Sequence, residues 1–506
     1  MRALLMHQDR DFDPQQALPL HEQILRQDLE LDTLLHAMAG GDDFLFEVAR
    51  KTLLSGLGND ADTILYRQEI VQDCLKNPQV IRELYELAVA AIEGKKKSYW
   101  SFVGNYPSSI LHGSIDVLQM FMSMLRKLKD IADAHAGRFE SRGFTTLFAM
   151  LKEEFSEAYF ASIQTHLTEL KFGAGTLLSA ELGPGNEGRN YMLRQSRGKK
   201  PSWLMRIMDK GPPAYTFRIA DRDEAGAKAL STIRDRGINL VANALAQSMD
   251  HILGFFEMLR IELAFHVGCL NLHARLASMG APVSLPHPEA NGTHGHHFSG
   301  LYDVCLALSM GRSVVGNTLD ADDKNLVIIT GANQGGKSSF LRSVGLAQLM
   351  MHCGMFVAAE FFAAELCTGL FTHYKREEDA SMVSGKLDEE LGRMSDIVDN
   401  IAPGSMLLFN ESFASTNERE GAEIARQIVC ALLERRIKVF FVTHLYAFAH
   451  GLFDGRMEHA IFLRAERHDD GTRTFRLSEG EPLETSYGED LYREIFPAGT
   501  AELSAR

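Results

Sequence analysis

The residues with the clearest chemical purpose form one short run, G-A-N-Q-G-G-K-S at positions 331–338. It fits the spacing G-x-x-x-x-G-K-[S/T]. Gly331, Gly335 and Gly336 let backbone N–H groups turn inward around phosphate oxygens where a Cβ would interfere. Lys337 brings a flexible cation to the terminal phosphates, and Ser338 offers a hydroxyl to Mg²⁺. The context is the required one. NLVIIT reads as a buried strand before the loop, and SFLRSVGLAQLMM as a helix after it, whose N-terminus adds partial positive charge.

Two further strand ends carry partners for this loop. SMLLFN ends at Asn410 and Glu411. Here a phosphate-binding loop needs an acceptor for the magnesium shell and a carboxylate to orient or deprotonate water. Glu411 suits the second task. Asn410 is an amide where a carboxylate is expected: it can accept a hydrogen bond from Mg²⁺-bound water but contributes no charge. RIKVFFVTHLYAF ends its strand at His444, placed to reach a γ-phosphate or the attacking water, because ligands bind outside the carboxyl ends of parallel strands. A histidine capping the next helix is the plainer reading of the same residue.

The elements that must position these groups divide the chain. From about 300 onward strands alternate with helices, the pattern of a parallel α/β domain. The stretch 281–299, APVSLPHPEANGTHGHHFS, reads as a linker. Residues 1–40 read as a loosely organised lead-in that ends in a helix. Residues 41–280 read as a mostly helical body with apolar residues at three- and four-residue spacing, interrupted at about 171–222 by a small β insert. TLLSAELGPGNEGRNYMLRQ suggests strand–turn–strand, and AYTFRIADRD a further strand. Helical texture over 223–280 is too long for one small globule and suggests an arm with a tip.

With 506 residues, 45% of them hydrophobic, the chain can bury a large core. No run of about 18 apolar residues appears and the N-terminus lacks a secretory pattern, so a cytoplasmic protein with no membrane partner is expected. Six scattered cysteines without a CxxC pair read as reduced, buried thiols. His294, His296 and His297 could hold a metal but read as part of a flexible loop. A net charge of −15 argues against strong nonspecific DNA binding while leaving room for a local basic patch.

These motifs together resemble the ATPase domain of the MutS family. ITGANQGGKSSFLRSVGLAQLMMHCGMFVAAE is similar to that family's Walker A stretch and its continuation. LLFNESFASTNEREG fits the family's Asp-Glu-x-Gly-Arg-Gly-Thr-Ser-Thr-x-x-Gly block without a gap, and FFVTHL fits its Ala-Thr-His. LDEELGRMSDIVDNIAPGS resembles the preceding helix, with Glu390 at the glutamate position; VVGNTL resembles the loop before the phosphate-binding strand, keeping Asn317; SYGEDLYREIF resembles the Ser-Tyr-Gly helix. Upstream, ILYRQEIVQDCLKNP is similar to the family's core helix, and helix, insert, helix over about 110–280 to its lever and clamp.

The resemblance implies ATP and Mg²⁺ as cofactors. It implies ATP binding by Asn317, Gly331, Asn333, Gly335, Gly336, Lys337, Ser338 and Ser339. Mg²⁺ would be held by Ser338 and, through water, Asn410, with Glu411 and His444 catalytic. It also implies a homodimer in which Ser415, Thr416 and Asn417 meet the γ-phosphate on the partner's loop, although the same residues suit a plain helix N-cap. Asn410 and the run Ser412, Phe413, Ala414 depart from the family block. The expected architecture is an α/β P-loop NTPase domain of MutS/ABC type, preceded by a helical core and lever with a β clamp insert and no mismatch-reading domain. Phe255, Phe256 and Glu257 match the mismatch wedge by letters alone and read as helix packing.

The expected DNA surface is the basic insert: Arg189, Arg194, Arg197, Lys199, Lys200 and Arg206, interleaved with Tyr191 and Trp203. The leading expectation is an ATPase that clamps DNA, of non-mismatch structure, in repair or recombination. The alternative is a nucleotide-gated scaffold for a protein partner with slow or no hydrolysis, favoured by Asn410 and the acidic balance. A GTPase is weaker, since no Asn-Lys-x-Asp appears.

Overall fold

The computed structural model describes residues 1–99, 106–173, 175–194, 215–290, 292, 294–376, 385–468 and 472–483. By contacts the chain divides into two compact units. One holds 1–3, 82–139 and 144–260; the other holds 4–81, 140–143 and 261–506.

The larger unit is built on a six-stranded sheet. Its strands are β6 (Leu326–Gly331), β8 (Leu370–Tyr374), β9 (Met406–Asn410), β10 (Lys438–Val442), β11 (Ala460–Arg467) and β12 (Arg473–Glu479). The order is β12-β11-β6-β10-β9-β8, with all neighbours parallel except β12, which runs antiparallel on the edge. LVIITG, MLLFN and KVFFV are near-continuous apolar runs because both faces of a parallel sheet are covered.

On one face, Leu326, Ile328, Leu407, Phe409, Val439 and Phe441 share a core with three helices. These are α12 (Lys386–Asn400), α13 (Glu418–Glu434) and α14 (Tyr446–Asp454). The alternate residues face the other way, where α11 (Lys337–His352) lies close enough that a Cβ on Gly345 would meet Leu408 at 2.8 Å.

A second sheet of four strands has the order β3-β7-β4-β5, with β3 (His287–Glu289), β4 (His296–Leu301), β5 (Asn317–Asp320) and β7 (Phe361–Glu365). The stretch 281–299 is therefore not a free linker. His296 and Phe298 point inward at period two, and β4 pairs with both β5 and β7. The glycines and prolines that suggested a loop lie outside β4, except for Gly300. His296 is fully buried against Phe298, Phe362 and Phe440. Among the described residues no cluster of His, Cys, Asp and Glu is suited to a metal.

The first forty residues are more ordered than a loose lead-in. Leu5, Met6 and Phe12 are buried, and the buried Glu262 carboxylate accepts from Leu5 N–H (2.5 Å) and Phe12 N–H (2.8 Å). Helices α1 (Glu22–Asp28) and α2 (Leu31–Ala39) follow. His21 stacks on Phe371 and bonds the Leu370 carbonyl at 2.8 Å, so this segment lies along β8. Next come α3 (Asp43–Ser55) and α4 (Ala61–Lys76), and later α10 (Val304–Met310). Residues 4–81 belong by contacts with the sheet unit, which divides the helical body expected over 41–280.

The smaller unit takes most of α5 (Pro78–Tyr99), α6 (Pro107–His135), α7 (Arg142–Glu154) and α8 (Glu157–Glu169), and the first part of α9 (Glu224–Ser278). At 55 residues, α9 is roughly 80 Å long. Phe255 and Phe256 are buried within it, Phe256 against Phe121. The insert contains an antiparallel hairpin, β1 (Leu178–Leu182) with β2 (Gly188–Leu193), around the Gly/Pro/Asn turn. The further strand expected from 214 is absent over 215–220, which is irregular, with Tyr215 and Phe217 exposed. Among the described residues β1 and β2 pair only with each other.

The five buried cysteines and Cys430 are all unpaired thiols. No helix of the described residues is long and apolar enough to cross a membrane.

Candidate nucleotide site

Register brings the predicted groups to one edge. Val442 lies opposite both Ile329 and Asn410, so β6, β10 and β9 end nearly level. Thr443 N–H donates to Ile329 O (3.0 Å) and Glu411 N–H to Val442 O (2.9 Å), which fixes the residues just past each strand. His444 Nε2 and Glu411 Oε1 are then 3.0 Å apart. Glu411 sits at φ 57, a left-handed conformation that turns its side chain out of the strand line. The hydrogen bond from His444 holds its carboxyl below the ordinary value, helped by the charges of His444, Lys337 and Lys375 against the opposing effect of burial.

The loop between β6 and α11 is tight. Gly331 (φ 114) and Gly336 (φ 88) occupy conformations open to glycine, and a Cβ on Gly331 would meet the Ala465 nitrogen at 2.8 Å. Lys337 is 4% exposed. Its ammonium donates to the carbonyls of Gly331 (2.9 Å) and Ala332 (2.8 Å), so it stands in the mouth of the loop. Burial lowers its pKa to about 8, with Glu411 opposing the shift. Asn333 is exposed on the loop, and Arg473 of β12 bonds Gln334 at 3.1 Å.

Ser338 Oγ donates to Asn410 Oδ1 at 3.0 Å. Both are oxygen donors of the kind a hydrated Mg²⁺ takes when it arrives on a triphosphate, and they fit the ion in kind; neither adds charge. Ser338 and Asn410 line a 300 Å³ cavity together with Asp28, Glu30, Ser339, Arg342, Lys375 and Arg376.

A second cavity of 570 Å³ opens on the other side of Ser339, beside Gly336. Tyr302, Met310, Val314, Val315, Phe340 and Phe475 make it largely apolar. Asn317 borders it but spends its amide elsewhere. Its Oδ1 accepts from Leu477 N–H (2.8 Å) and its Nδ2 donates to Phe475 O (3.3 Å), pinning β5 to β12.

The segment after Glu411 is held from beneath. The buried Glu390 carboxylate accepts from Phe413 N–H (2.8 Å) and Ser415 Oγ (2.9 Å). His373 bonds Ser412 Oγ (2.7 Å) and the Glu390 carbonyl (3.0 Å), and burial lowers its pKa to about 4. Asn417 caps α13, its Oδ1 accepting from Glu420 N–H at 3.0 Å; Thr416 bonds the Glu420 carboxylate. The capping reading of this segment is thus present in the fold.

Of the basic insert, Arg189 and Arg194 are exposed on and beside the hairpin, Arg194 donating to Ser179 Oγ at 2.8 Å. Arg197, Lys199, Lys200 and Arg206 lie outside the described residues, as do Trp203 and the Ser-Tyr-Gly segment. Arg473, Lys375 and the partners of Asn317 come from strands remote in the chain, and no local pattern marks them.

Strand, glycine loop and buried lysine at a helix start, with a carboxylate at the end of the next strand but one in the sheet, define a P-loop nucleotide-binding domain. Residues 327–492 match MutS domain V, and residues 59–279 match the MutS2 N-terminal domain. The chain belongs to the MutS family. Over 303 residues it is 25% identical to MutS protein homolog 4 of Mus musculus, covering 58% of this chain and 31% of that one. It is 33% identical to the endonuclease MutS2 of Thermus thermophilus over 190 residues, 37% of this chain and 24% of the other. It is 26% identical to the DNA mismatch repair protein MutS of Fusobacterium nucleatum over 253 residues, 49% and 28%. The chain spans less than a third of the length of these relatives.

Proposed function

We propose that this chain binds and hydrolyses ATP at a composite site in a homodimer, and uses the switch to clamp DNA of non-mismatch structure during repair or recombination in the cytoplasm. The observation that carries the reading is the 3.0 Å pair of Glu411 and His444 at the same sheet edge as the Lys337 loop.

In this reading the N–H groups of Gly331, Asn333, Gly335 and Gly336 turn toward the phosphates, and Lys337 moves from its loop carbonyls to the terminal phosphates. Ser339 and the apolar cavity receive the base and sugar, with Asn317 shaping that cavity through its bonds to β12. Ser338 and, through water, Asn410 would hold Mg²⁺, which would supply charge neutralisation at the triphosphate. Glu411, kept ionised by His444, accepts a proton from the attacking water; His444 steadies the carboxylate. Ser415, Thr416 and Asn417 present hydroxyls and the start of α13 to the partner's γ-phosphate. ATP then favours the closed pair through its differential affinity for that state. Arg189 and Arg194, with Arg197, Lys199, Lys200 and Arg206, contact the DNA backbone.

Steady-state phosphate release tests this. Glu411→Gln is expected to cut turnover by roughly 10²–10⁴-fold while ATP still binds; unchanged turnover would remove Glu411 from the chemistry. The scaffold reading is supported by the amide of Asn410 and the charge of −15. It predicts nucleotide binding with no phosphate release by the unaltered chain, and capture of a protein partner in its place.

A further inference from the structure

The flank of the site beside Ser338 and Asn410 holds an unusual balance of charge. Three cations line its 300 Å³ cavity: Arg342, Lys375 and Arg376. Two are already committed. Arg342 is clasped by Asp303 (2.5 Å) and Glu30, and Arg376 is paired with Asp28 at 2.8 Å. Lys375 makes no ion pair among the described residues.

Its place is fixed by the backbone. Tyr374 lies opposite Asn410 in the parallel pairing of β8 with β9, and Lys375 N–H donates to Asn410 O at 2.9 Å. The lysine stem therefore starts one residue past the strand end, beside Asn410 and Glu411, and its charge is among those that hold the Glu411 carboxyl down. A carboxylate at position 410 would neutralise this ammonium. The amide that stands there offers no charge to pair with it, and its own Oδ1 is taken by Ser338. The amide that weakens the hold on a divalent cation thus leaves a monovalent one, on a flexible four-carbon stem, without a carboxylate from position 410 to pair with, in the cavity that Ser338 and Asn410 also line.

We propose that Lys375 is a phosphate-contacting residue of this nucleotide site, so that the chain binds ATP with a reduced demand for magnesium. The inference rests on the nucleotide-site reading above. It assigns to Lys375 the part of the phosphate neutralisation that a carboxylate-held metal would otherwise provide.

The test is the affinity of the full chain for a fluorescent ATP analogue, titrated with magnesium and again with EDTA. The unaltered chain is expected to bind within about threefold under the two conditions. Lys375→Ala should lose about tenfold or more in EDTA and clearly less with magnesium, while Lys375→Arg keeps most of the EDTA affinity. Asn410→Asp should restore a strong preference for magnesium, because its carboxylate captures both Lys375 and the metal. Thermal melting of each variant confirms that it is folded. Tight binding with magnesium but a hundredfold or greater loss in EDTA would leave the nucleotide site standing and overturn the role of Lys375. An equal loss, or none, for Lys375→Ala in both conditions would also overturn it. No binding by the unaltered chain in either condition would sink the nucleotide site itself, and this proposal with it.

Discussion

Lys337 carries its charge where burial works against it. Its folded value, about 8, lies below the ordinary 10.5, so the unfolded chain binds the proton more tightly. Stability from this group therefore rises with pH between those two values, and the charged lysine costs stability at neutral pH. Two outcomes follow. ATP affinity should weaken as pH rises from about 7 to about 9, where the free lysine loses its charge; a flat profile would place the binding charge elsewhere. Lys337→Met should abolish nucleotide binding without lowering the melting temperature, whereas a structural lysine would lower it. Glu411 runs the other way. Its depressed value means that its contribution is present above the ordinary carboxylate range and lost as pH falls through the folded value. The residues of the loop were readable in the sequence because all their geometry is local: glycines, lysine and serine within eight positions. Lys375, Arg473 and the bonds of Asn317 were not, since each depends on which strand lies beside which.

At the scale of elements, the turn after β9 is the part most exposed to a single change. A Cβ on Gly421 would lie 2.3 Å from the Phe413 carbonyl, so Gly421→Ala must push α13 away from the turn that carries Glu411. Phosphate release and melting temperature should both fall; retention of both would show that the turn can yield freely. Glu390→Ala leaves the buried Phe413 N–H without its acceptor, at a cost of about 1–3 kcal/mol read by denaturant melts, and Glu390→Gln should recover much of it. The strands and helices of this unit followed from apolar runs and their period. The β3 and β4 strands did not, because Pro and Gly around His296 and His297 masked an inward alternation that only β5 and β7 complete. Residues 4–12 were misread for a related reason: their order comes from Glu262 and the core above it, more than 200 positions away.

At the scale of the whole molecule, the proposed switch is an ATP-dependent pairing of two chains. Size-exclusion chromatography with light scattering should show more dimer for Glu411→Gln with ATP than without nucleotide. The same mass in both conditions would remove the composite site. The long α9 and the exposed Arg189 and Arg194 on and beside the hairpin were legible in the sequence as helical texture and a basic insert, and the proposed contact with a phosphate backbone is argued from them.

The central claim, that the loop around Lys337 binds ATP, is tested most directly by calorimetric titration of ATP into the purified chain and into Lys337→Ala. Saturable binding by the first, abolished in the second with the fold intact, is the predicted result. Absence of binding in the first, or equal binding in both, would contradict it.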